Sequence, residues 1–84
     1  MNNQIESVYE FVPLTKLLQK GDQILILHKK KEVLTEYMGR SMDGMIHLNH
    51  QTEGTILCRT GYFNQSAQVV HREEVANRFL NQLK

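Results

Sequence analysis

The run Ile24-Leu25-Ile26-Leu27 constrains the fold more than any other stretch of this chain. It lies between Lys20-Gly21-Asp22, which halts regular structure, and the basic cluster His28-Lys29-Lys30-Lys31. A strand with one face in water alternates apolar and polar residues, so an unbroken aliphatic run reads as a strand covered on both faces. Four residues are too few for a free-standing helix. The expectation is a central strand with protein on each side, around which the other elements are arranged.

A chain of 84 residues suffices for a single domain, 1–84, with one core; at this size folding buries roughly 60–65% of the unfolded surface. Hydrophobic residues at 40% and charged residues at 23% describe an ordinary folded domain rather than a disordered one. The net charge of +1 selects no partner, which leaves only local clusters of charge to do so. The lone Cys58 excludes an internal disulfide and a cysteine-only zinc site, and suits a reducing, cytoplasmic setting. Met1–Glu6 lacks the basic-then-apolar pattern of a secretory signal. No apolar run approaches the roughly 20 residues of a membrane span, so no membrane contact is expected.

Toward the N-terminus, Ile5, Val8, Tyr9 and Val12 follow helical spacing, with Asn2 or Asn3 as a cap. The stretch Val8–Val12 is also rich in β-branched and aromatic residues; residues 4–12 are read as helix, with strand as the alternative. After Pro13, Leu14, Leu17 and Leu18 predict a helical segment over about 13–20, closed by Gly21. Strands follow at Ile24–Leu27, Val33–Met38, Met45–Asn49 and Thr55–Thr60, with a short one at Ala67–Val70. Gly61 and Asn64-Gln65-Ser66 read as loop. From Arg72 onward, Val75, Ala76, Phe79, Leu80 and Leu83 share one helical face, with Glu73 and Glu74 in the first turn and Lys84 in the last. That amphipathic helix is expected to dock on the sheet.

The turn Lys29–Glu32 lacks Gly, Asn and Pro, so its type is open. Asp43-Gly44 predicts a two-residue type I′ hairpin, pairing Arg40 with His47 and Ser41 with Ile46. A five-residue loop at 50–54 then pairs Ile46 with Cys58, His47 with Leu57 and Leu48 with Ile56. That register puts Ile46, Leu48, Ile56 and Cys58 on a core face. Arg40, His47 and Arg59 fall on the opposite face with Met38, Met42, Met45 and Leu57, forming a basic, methionine-rich ledge.

The ledge and Lys29, Lys30 and Lys31 are the candidate anion or nucleic-acid contacts, since each neutralised phosphate adds salt-sensitive affinity. Solvated lysines at an exposed strand connection explain the cluster equally simply. Tyr62, placed in a loop, is the best exposed aromatic for stacking or partner contact. Met38, Met42, Met45, Leu57 and Tyr62 are the candidate protein-interaction residues, because methionine adapts to varied partners. No catalytic constellation is found. His47 and His50 lie too unfavourably for a metal, Cys58 and His47 fall on opposite faces, and the glycines form no phosphate loop. No cofactor is implied.

The fold class is α+β: a small, strongly bent antiparallel sheet or open SH3-like or Sm-like barrel, with an N-terminal helical segment and a C-terminal amphipathic helix. The Gly and Asp positions that mark Sm-type RNA-binding proteins are not matched. The expected function is a non-enzymatic interaction or regulatory module working through a protein partner or homo-oligomerisation. Nucleic-acid binding by the basic sheet face is the alternative.

Overall fold

The computed structural model describes residues 3–83, an α+β architecture with four helices and a five-stranded antiparallel open sheet. The helices are α1 (Asn3–Phe11), α2 (Leu14–Leu17), α3 (Thr60–Ser66) and α4 (Arg72–Gln82). The strands are β1 (Gln23–His28), β2 (Lys31–Arg40), β3 (Met45–His50), β4 (Gly54–Arg59) and β5 (Gln68–Val69), in the order β4-β3-β2-β1-β5. The Asn2 cap and Lys84 lie outside the described residues.

Burying Ile5 and Val8 on one stripe makes 3–11 a helix, against the β-propensity of Val8, Tyr9 and Phe11. After Pro13, α2 is a single turn that ends at Leu17. Gly21 is therefore no helix cap: with φ at +102° it turns the chain into β1, where its N–H donates to the Tyr37 carbonyl. The segment 60–66, read as loop, is the helix α3. Its Phe63 is wholly buried and meets Tyr37 with ring centroids 6.0 Å apart.

Ile24, Ile26, Tyr37, Ile46, Leu48, Ile56 and Cys58 join residues from all four helices in one core. In β1 the burial alternates: Ile24 and Ile26 are buried, Leu25 is half-buried and Leu27 is exposed. The expectation of protein on both faces of this strand is therefore wrong. The helices pack on one side only, and the aliphatic run is two core residues interleaved with two outward ones. The C-terminal helix buries Val75 and Ala76 and partly buries Phe79 and Leu80, packing chiefly on α1 and α2 rather than on the sheet; Leu83 is exposed. Arg78 fastens it, donating to both carboxylate oxygens of Asp22 (3.1 and 2.6 Å) and to the Leu17 carbonyl (3.1 Å).

The β3–β4 register pairs Ile46 with Cys58, His47 with Leu57 and Leu48 with Ile56, as the sequence predicts, around a tighter turn over residues 51–53. The β2–β3 turn differs from expectation. Among its residues only Gly44 has positive φ (+85°), and the Gly44 N–H donates to the Ser41 carbonyl at 3.0 Å. This is a type I turn followed by a left-handed glycine, not a type I′ pair. Arg40 consequently faces Ile46, and a bulge between Tyr37 and Gly39 absorbs the extra residue. The two-residue type I′ geometry occurs instead at Lys29 (φ 52°) and Lys30 (φ 65°), between the paired His28 and Lys31.

Candidate docking groove

The sheet curls so that β4 approaches the far end of β1. Glu53, in the β3–β4 turn, meets His28 Nε2 at 3.3 Å and Lys29 Nζ at 2.9 Å. From α3, the Tyr62 hydroxyl donates to the Leu27 carbonyl. Between the two strands lies a groove of about 310 Å³, lined by Ile26–Lys29, Ile56–Arg59 and Tyr62. Its walls are mostly apolar, with His28 and Lys29 contributed by β1 and its turn, and Arg59 by the end of β4.

The groove gathers four of the residues singled out from sequence: Lys29, Leu57, Arg59 and Tyr62. The others scatter. Lys30 and Lys31 stand exposed at the β1–β2 turn. Arg40 is turned by the bulge to the face of Ile46, where its charge acts on the Tyr37 hydroxyl, so it leaves the proposed ledge. Met42 projects fully into solvent from the turn, also off the ledge. His47 remains on the outer face opposite Leu57, and Met45 opposite Arg59, both half-buried; Met38 sits half-buried in the bulge. Tyr62 lies on a helix rather than in a loop, and is 43% exposed.

Sequence reasoning missed the partners of these residues. Leu27 and Leu34 are each 49% exposed, and Leu57, which lines the groove with Leu27, is 53% exposed. Leu25 pairs with Leu34 on the same outer face. Their signal was present: with helices on one side, two of the four aliphatics in β1 must point away from the core.

The Lys29 hydrogen bond chiefly holds the Glu53 carboxyl below its usual range. Burial alone pushes the Cys58 thiol up, towards the protonated, unreactive form. Cys58 and His47 point to opposite faces. His50 spends Nδ1 as acceptor for the Thr52 and Glu53 N–H groups (3.3 and 3.1 Å), ordering the turn. Among the described residues, no three of His, Cys, Asp and Glu converge as a metal site, and no helix is long and apolar enough to cross a membrane. Comparison with protein-family models, curated proteins and solved structures found no significant match.

Proposed function

We propose that this chain is a non-enzymatic protein-interaction module whose working surface is the bare outer sheet face and the groove at its margin. One observation carries the reading: Leu27, Leu34 and Leu57 stand half exposed on a sheet whose other face is packed shut. Leu34 lies opposite Leu25 and Leu27 shares the groove with Leu57, so the leucines are grouped rather than scattered, and grouped apolar residues on a surface mark contact sites. A chain this small also gains stability by burying a further interface.

We read the architecture as an open relative of small SH3-like barrels. The support is the β1–β4 meander, the helical turn α3 after β4, and the return of β5 to β1. The free thiol favours a cytoplasmic setting. Self-association is the most direct form of contact to test. Sedimentation over a wide concentration range should show a monomer–dimer equilibrium that Leu34→Glu abolishes. A monomer at every concentration would remove self-association. Nucleic-acid binding is the second reading, favoured by exposed Lys30, Lys31, Arg59 and Tyr62. It is weaker because Lys29 is neutralised by Glu53 and Arg40 faces elsewhere. Steep salt dependence in binding a labelled single-stranded oligonucleotide would reverse that order.

A further inference from the structure

We infer that the free edge of β4 accepts an extended peptide segment as an added antiparallel strand, one carrying an acidic residue two positions before an apolar one. The inference rests on the interaction reading above and names the kind of partner the groove takes.

The two margins of the groove differ. Along β1, β5 pairs with Ile24 and Leu25, and beyond them the Tyr62 hydroxyl occupies the Leu27 carbonyl, the position an N–H from a neighbouring strand would take. That margin is closed. Among the described residues strand β4 pairs with β3 alone, so alternate residues along its six present their backbone donors and acceptors on the other side. Natural edges are blunted with proline, lysine or a bulge. Gly54–Arg59 has no proline or lysine; its left-handed Gly54 and its one charge, Arg59, stand at its two ends, and the register with β3 runs regularly between them. The groove lies between two walls, which suits one extended chain better than the sheet edge of a folded domain.

Side chains of an added strand alternate, and directly opposed pairs interact. Thr55, Leu57 and Arg59 point outward from β4, while Ile56 and Cys58 point into the core. A residue opposite Leu57 therefore meets an apolar neighbour beside the bare face. A residue opposite Arg59 meets a guanidinium that makes no ion pair among the described residues. Antiparallel pairing places the residue opposite Arg59 two positions before the one opposite Leu57, which yields the acid-x-apolar order. Backbone bonds supply affinity and these two positions supply selectivity.

The test is selection of a random nonapeptide phage library on the full chain, followed by fluorescence anisotropy with the selected peptides. Enriched sequences should carry the acid-x-apolar pattern. Arg59→Glu should replace the acid by lysine in a repeated selection, and Leu57→Lys should weaken the original peptides at least tenfold. Both residues are exposed, and thermal melts of the variants verify their folding. No enrichment, or enrichment indifferent to Arg59→Glu, would overturn the inference. A dimer weakened by Leu57→Lys with no peptide selected would also overturn it, giving the edge to a second copy. Dimerisation sensitive to Leu34→Glu would survive such a failure, so the interaction reading and the added strand fall separately.

Discussion

The two faces of the sheet are built from the same kind of residue, yet one is buried and the other is not. Ile24, Ile26, Ile46 and Leu48 are buried to 2% exposure or less, while Leu27, Leu34 and Leu57 keep about half their surface in water. Fully burying such a side chain stabilises by about 1.5–3 kcal/mol. The outer leucines forgo much of that, so fold stability does not account for them. The inner face holds the domain together and the outer face is available for contact. Substitutions on the two sides should separate these roles.

The largest effect is expected beneath the helices. Phe63 is fully buried against Tyr37, and Phe63→Ala should cost about 3–5 kcal/mol. In a domain whose total stability is of order 5–15 kcal/mol, urea denaturation should show a large fall in midpoint. A small change would mean that α3 is not part of the core, and the contrast between faces would lose its basis.

Next comes the Arg78 clamp between α4 and the start of β1. Arg78→Met removes the guanidinium donor from the Leu17 carbonyl and leaves the Asp22 carboxylate with the Gln19 N–H, and should cost about 1.5–3 kcal/mol. Burial pushes the Asp22 carboxyl up, but the Arg78 hydrogen bond and the Gln19 N–H outweigh it and hold the group below its usual range. A depressed carboxylate stabilises the fold above its unfolded pKa of about 4. That contribution disappears as pH falls through the lower folded value. The parent protein should therefore lose stability more steeply below about pH 4 than Arg78→Met does, as acid titration of the unfolding midpoint would show.

The turns decide which residues reach which face, because a one-residue slip in register exchanges the two. Gly44 has open space around it but φ at +85°. Gly44→Val should cost about 1–3 kcal/mol through backbone strain alone. An unchanged melting temperature would refute the left-handed glycine, and with it the placement of Arg40.

How much of this was legible in the sequence depended on the hairpin. Between β3 and β4, Ile46 and Leu48 alternate against Ile56 and Cys58, and a slip would expose all four; the register could be read directly. Between β2 and β3, Asp43-Gly44 correctly located a positive φ at Gly44 but did not reveal that Asp43 keeps a negative one. The bulge at Met38–Gly39, a response to that turn, then carried Arg40 to the other side. Helix α3 was hidden because Gly61, Asn64 and Ser66 are weak helix formers, and burial of Phe63 overrides their preference. Lys29, Leu57, Arg59 and Tyr62 could each be noticed singly. Their convergence follows from the curl of the sheet, a property of the packed whole that no short segment records.

A smaller and opposite effect is expected at the β1–β2 turn. Lys29 and Lys30 both hold left-handed conformations that disfavour residues with a side chain. Lys30→Gly removes one such cost and should stabilise by about 1 kcal/mol. A rise in melting temperature without a change in the β1–β2 amide cross-peaks would show that the turn tolerates its lysines rather than depending on them. It would also leave Lys29 bound to Glu53 and the groove intact.

The smallest effect should come from the outer face itself. Leu34 is 49% exposed opposite Leu25, and its neighbours along β2 are the exposed Glu32, half-buried Val33, buried Thr35 and exposed Glu36. Threonine keeps the β-branched preference of a strand and places a hydroxyl where water already reaches. Leu34→Thr should therefore alter monomer stability by no more than about 0.5 kcal/mol, even as it weakens whatever contact the face makes. Measured at low concentration by chemical denaturation, a loss near that of a core leucine, about 2–5 kcal/mol on truncation, would mean the face is covered within the monomer. The outer leucines would then be ordinary core residues. With stability unchanged and association reduced, the two faces would be separated by experiment, and the leucines on the bare side would be accounted for by contact alone.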